Sequence, residues 1–202
     1  MFRPVTTSSS VLREALAVLP EGVSKVRLRT DTAGYDQDLL LYCGEGKDER
    51  FGVIEFAIGA DVTAAFRQAA RELPEDAWHS LDRMVDGKPE PTGQEWAEVG
   101  YVPNWAGYSR KRADYCFLAI REPLGELELG DADQLSFPTE VFGSRGRCKL
   151  FGLVTNRDLP GHEVIWWHRQ RCGKSEEAHA VMKDDLAGGT LLSGLFGANA
   201  AG

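Results

Sequence analysis

Hydrophobic and polar positions alternate along the chain with two periods, and each period marks an element. Ser8-Ser9-Ser10 precedes Val11-Leu-Arg-Glu-Ala-Leu-Ala-Val-Leu19, which reads as a capped amphipathic helix stopped by Pro20 and Gly22. From Lys25 the period changes to two. Val26, Leu28 and Thr30 face one way and Lys25, Arg27, Arg29 and Asp31 the other, which predicts a half-buried strand ending in an acid. Thr32-Ala33-Gly34 makes a small-residue turn, and residues 35–43 read as a short helix ended by Gly44. Residues 51–58 are largely apolar and predict a second strand. Asp61 is then placed to cap a helix over 62–73, where Phe66, Ala69, Ala70 and Leu73 form one stripe.

The middle of the chain changes character. Between Asp86 and Gly146 lie most of the prolines and several short strand-like runs, at 95–102, 115–121 and, beyond an acidic loop (Glu126, Glu128, Asp131, Asp133), 147–155. The last third is helical again, with 161–171, a break at Cys172-Gly173-Lys174, and 175–186 ended by Gly188-Gly189. The order of elements predicts a mixed α/β fold with helices packed on a sheet. The chain accordingly divides into a core over 1–85, a strand-rich insertion over 86–146, and a returning strand with helices over 147–202.

Composition narrows the class without giving an activity. A chain of 202 residues, 43% hydrophobic and 27% charged, holds one domain or one domain with an insertion, and is neither a disordered tail nor a coiled coil. No apolar run reaches the ~18 residues of a membrane-spanning helix. The opening Met1-Phe-Arg-Pro-Val-Thr-Thr-Ser-Ser-Ser10 has no apolar core of a secretory signal, so the cytoplasm is the expected compartment. Cys43, Cys116, Cys148 and Cys172 stand far apart and read as free thiols rather than a zinc ribbon. His162, His168, Cys172 and His179 fall in one stretch, but without a familiar ligand spacing, and read as surface or packing residues. Gly-rich phosphate loops and a nucleophile elbow are both missing.

Two acids stand in settings suited to chemistry. Asp31 closes a strand and is followed by small residues that leave room for a ligand; a strand end is a usual address for catalytic groups in open α/β sheets. Ser175 is a good N-cap, which puts Glu176 in the first turn of a helix, where the dipole favours a carboxylate. Lys183 follows two turns later on nearly the same face. Carboxylates that hold divalent ions, with cations nearby to hold a phosphate backbone, are what phosphodiester chemistry requires. Each piece alone also has a plain reading: a turn-forming Asp, first-turn charges at Glu176 and Glu177, a solvated Lys183, and a Trp166-Trp167 pair in the core.

At these residues the chain resembles the DDE insertion-sequence transposases. Arg29-Thr-Asp-Thr-Ala-Gly-Tyr-Asp-Gln-Asp-Leu-Leu40 is similar to the family's segment around its second catalytic Asp. Trp167-His-Arg-Gln-Arg-Cys-Gly-Lys-Ser-Glu-Glu-Ala-His-Ala-Val-Met-Lys183 is similar to its third-acid region, which carries a lysine seven residues after the glutamate, an interval that Glu176 and Lys183 keep. His168 stands where that signature has Tyr, and Arg171 precedes Glu176 by one residue more than usual. The likeness covers nearly the whole chain.

The resemblance implies a partial RNase H-like fold with Asp31 and Glu176 (Glu177 as the alternative) as catalytic metal ligands. It further implies two Mg²⁺ or Mn²⁺ ions, and DNA contacts from Arg169, Arg171, Lys174 and Lys183. The partners it implies are DNA element ends and a full-length transposase or a second copy of the chain, with no membrane. The family's first Asp lies on an earlier strand, whereas this chain has no Asp before Asp31. It also continues well past Gly202. The expectation is therefore a transposase fragment that does not cleave DNA alone, or a truncated binder that interferes with transposition. The net charge of −8 is unusual for a DNA partner, but the segment from Arg145 to Lys183 is locally +4, eight cations less four anions.

Overall fold

The computed structural model of the chain describes residues 7–103, 115–125 and 137–171. They form a mixed α/β architecture around one seven-stranded sheet. The strands are β1 (Arg27–Thr30), β2 (Glu55–Ala60), β3 (His79–Val85), β4 (Lys88–Val99), β5 (Cys116–Pro123), β6 (Thr139–Phe142) and β7 (Gly146–Thr155). The helices are α1 (Ser8–Ala17), α2 (Gln37–Gly44), α3 (Ala64–Arg71) and α4 (Gly161–Arg169). The chain divides into two compact units, 1–168 and 169–202. In the second, the described residues are a half-buried Arg169 and exposed Gln170 and Arg171.

Helices α1, α2 and α3 start where side chains can satisfy the free amides of the first turn. Thr7 caps α1 in a capping box with Ser10, and Asp36 caps α2 by accepting from the Leu39 amide at 3.0 Å. Thr63, rather than Asp61, caps α3, its hydroxyl accepting from the Phe66 amide at 3.2 Å.

The strand order is β1-β2-β7-β5-β4-β3, with β6 paired to the first half of β7. β1 and β2 are parallel and joined through α2; every other pairing is antiparallel. β2 and β7 lie inside the sheet, and β2 and the end of β7 over Leu153–Thr155 are covered on both faces, which is why those runs are almost continuously apolar. Period-two alternation sorts the core. Phe56, Ile58, Phe117, Ala119 and Val154 pack with α1, α2 and α3 on one face. Ala57, Leu118, Ile120 and Leu153 pack with Val164 and Ile165 of α4 on the other.

The strand-rich segment after residue 86 thus joins the same sheet as β1 and β2. Its long hairpin, β3–β4, turns at Asp86-Gly87, where φ is 50° and 77°, the backbone of a tight two-residue hairpin loop. No described helix is long and apolar enough to cross a membrane.

Several carboxylates are held below their usual range by partners that folding brings together. Glu55 is lowered by hydrogen bonds from Lys25 and Arg27. Asp48 is raised by burial but lowered more by the Tyr42 hydroxyl and the Phe51 and Arg50 amides, for a net depression. A carboxylate depressed in the folded state contributes stability that is full above its unfolded pKa and lost as pH falls through the folded value. The urea midpoint is therefore expected to hold from neutral pH to about 5 and to fall below about 4. A midpoint unchanged down to pH 3 would refute this assignment.

Candidate functional site

The parallel pair β1–β2 ends beside Asp31. Thr30 pairs with Ile58, and the chain leaves β1 over Gly59, where a Cβ would stand 2.9 Å from the Thr32 amide nitrogen and 3.1 Å from the Asp31 carbonyl carbon. Only glycine lets the β1 exit turn lie this close on β2. Asp31 is exposed and caps the turn Thr32–Gly34, Oδ1 accepting from the Ala33 amide at 3.1 Å. The turn-forming and the ligand-binding readings of Asp31 are compatible, because one oxygen serves the turn and Oδ2 makes no hydrogen bond among the described residues.

The last turn of α4 is fastened to the same strand. Arg29 Nη1 donates to the carbonyl of Trp167 at 2.6 Å, satisfying a carbonyl that a helix C-terminus leaves open. Its guanidinium lies 5.1 Å from the Trp167 ring, and Arg157 lies 4.2 Å from that ring. His168 Nε2 stands 2.9 Å from the carbonyl oxygen of Thr30, the residue before Asp31. Trp166 turns the other way and donates from its indole to the Asp82 carbonyl at 2.8 Å. The tryptophan pair is therefore half-buried packing that braces α4 between β1 and β3.

Of the residues expected in the site, Asp31 is at the predicted strand end, Arg169 closes α4 and Arg171 follows it, exposed. Lys174, Glu176, Glu177 and Lys183 lie outside the described residues, as do Cys172, His179 and the helix expected over 175–186. Among the described residues, no group of three or more His, Cys, Asp or Glu could hold a metal ion. Among them Asp31 offers a single exposed carboxylate at this strand end.

Three of the eight cations of the C-terminal segment are committed to ion pairs within the fold. Arg145 pairs with Glu95, Lys149 with Glu122 at 3.3 Å, and Arg157 Nε stands 3.3 Å from Glu55. The described thiols are unsuited to nucleophilic work: burial pushes Cys43 up to about 12, Cys116 up to about 11, and Cys148 upward as well. A charged group that sequence reading missed is Arg121 on β5, 1% exposed, held by Glu75 and Glu95 between Trp78 and Phe142. Its signal in the sequence is slight, one arginine at an inward position of an otherwise apolar strand.

Comparison with protein-family models, with curated proteins and with solved structures returns no match.

Proposed function

We propose that the chain is a catalytic-domain fragment of a DDE transposase with a partial RNase H-like fold, in which Asp31 and Glu176 share divalent cations. The observation that carries the reading is the bond between His168 and Thr30, which ties the end of α4 to the residue before Asp31. Glu176 follows His168 by eight residues (176 − 168) in the sequence. The mixed sheet, with Asp31 at the end of a parallel strand, is the setting such chemistry uses.

In this reading Asp31 Oδ2 is the metal-facing oxygen, Oδ1 is held by the Ala33 amide, and Arg29 and His168 position the strand end. Divalent ions, when bound, would activate the attacking oxygen and stabilise the leaving one. Arg169, Arg171, Lys174 and Lys183 would hold the DNA backbone, giving an affinity that falls steeply with salt. In this reading Asp31 is the second of the family's acids, and residues 1–30 hold no Asp that could serve as the first.

The chain alone is accordingly expected not to nick supercoiled plasmid with Mg²⁺ or Mn²⁺. Nicking that disappears in both Asp31→Ala and Glu176→Ala would overturn the inactivity. Paramagnetic broadening tests the shared site directly. Mn²⁺ is expected to broaden the amides of 30–34 selectively, and Glu176→Gln to weaken that effect as strongly as Asp31→Asn does. Broadening at 30–34 that survives Glu176→Gln would sink the reading.

A further inference from the structure

Among the described residues β1 pairs with β2 alone, so one side of its backbone ladder is open. The open strand is short, and His168 takes the carbonyl of Thr30 at its end. Its two faces differ sharply. On one side, Leu28 and Thr30 join Val11, Leu12 and Ala15 of α1 and Leu39 of α2 around an apolar groove of about 370 Å³. Val11 on this groove is 52% exposed, although it is a large aliphatic side chain. On the other side, Lys25, Arg27 and Arg157 surround a single carboxylate, Glu55, at 2.5, 2.9 and 3.3 Å. Arg29 adds a fourth cation to this face, paired with no carboxylate among the described residues, its bond being to the Trp167 carbonyl; Asp31 lies just beyond the strand end.

An unpaired strand edge is a template for another strand, whose alternate side chains fall on the two faces of the sheet. Two copies of β1 paired edge to edge would bring Arg27 and Arg29 against their own counterparts, and like charges opposite one another destabilise a pair. The charges therefore select against a second copy and for an acidic partner. We infer that the open edge of β1 is a strand-addition site for an extended peptide segment in which apolar and acidic residues alternate. The apolar positions enter the groove against Val11 and Leu28, and the acidic positions face Arg27 and Arg29. The backbone supplies the ladder and the two faces supply the selectivity. This inference stands apart from the transposase reading, since neither Glu176 nor a metal enters it.

Amide spectra of the ¹⁵N-labelled full chain, titrated with short capped peptides, test it. A peptide alternating Val and Glu is expected to shift the amides of Arg27–Thr30 and of α1, and to bind about tenfold tighter than one alternating Val and Lys. N-methylation of one alternate set of its amides is expected to abolish the shifts, because those amides donate to the ladder. Val11→Glu, at an exposed position, is expected to weaken the Val–Glu peptide while leaving the dispersion of the spectrum intact. The inference is overturned if the Val–Glu peptide leaves 27–30 unshifted or the Val–Lys peptide binds as well. It also falls if both N-methylated sets bind like the parent, or if Val11→Glu has no effect on affinity.

Discussion

Replacing Arg121 with Ala is expected to destabilise the fold by about 3–4 kcal/mol, because it removes the cation from a buried pair and leaves a void between two rings. Arg121 is 1% exposed, with its guanidinium carbon 4.2 Å from the Trp78 ring and 5.2 Å from that of Phe142. Nε donates to Glu95 at 2.8 Å and Nη2 to Glu75 at 2.6 Å. Glu95 is mostly buried and would keep only Arg145 as a cation; Glu75 is largely exposed and can return to water. The loss should therefore be read mainly from Glu95 and from packing. For a domain of this size the shift in Tm is roughly 6–16 °C. Arg121→Met combined with Glu95→Gln is expected to recover most of it, since an apolar replacement of a buried pair is close to neutral. A loss below about 1 kcal/mol for Arg121→Ala, measured by urea denaturation, would show that the guanidinium is not a structural plug.

Phe66→Ala is expected to be as damaging, at about 3–5 kcal/mol. Phe66 is the fully buried anchor of α3, meeting Tyr101 edge to face with ring centroids 5.4 Å apart. α3 spans only Ala64–Arg71, too short to hold itself by hydrogen bonding, so its attachment to the sheet rests on Phe66 and Ala70. The transition should remain cooperative with a lower midpoint. A midpoint unchanged, or a separate early transition confined to α3, would contradict the placement of this helix in the main core.

Acid sensitivity and Arg121 report on different parts of the molecule. Glu55 sits under the basic face of β1, and its depressed pKa comes first from Lys25 and then from Arg27. Glu75 is lowered chiefly by Arg121 at the far end of the sheet. Comparing the acid limb of Arg121→Ala with that of the parent chain separates the two.

The local elements were legible because their signals are local. The strand before Asp31, the α2 and α3 helices and the strand over 147–155 follow from spacings of two to four residues. Their ends shifted where neighbouring groups compete. Thr63 displaced Asp61 as a cap, α2 starts at Gln37 after the Asp36 cap, and β2 starts at Glu55 because residues 48–52 close a small loop. The predicted strand over 95–102 is the end of a longer one that begins at Lys88. Its partner β3 leaves little sign in the sequence, although Asp86-Gly87 is a strong hairpin signal, because this outer strand buries Leu81 alone and shows no apolar alternation; the register shift opposite Ser80/Asp82 puts its two extra residues in β4.

By itself, the sequence determined the alternation of helix and strand, an acid at the end of β1, the free thiols Cys43, Cys116 and Cys148, and the two faces of β1. Tertiary structure alone decided that β5 lies between β7 and β4, that β1 is an edge among the described strands, that Arg121 is buried among rings, and that Arg29 and the Thr30 carbonyl hold Trp167 and His168 at the end of α4. Periodicity is a property of neighbours along the chain and survives in any window. Strand order and ion pairing depend on residues up to about 140 positions apart, whose choice among many alternatives is made only when the whole core is buried.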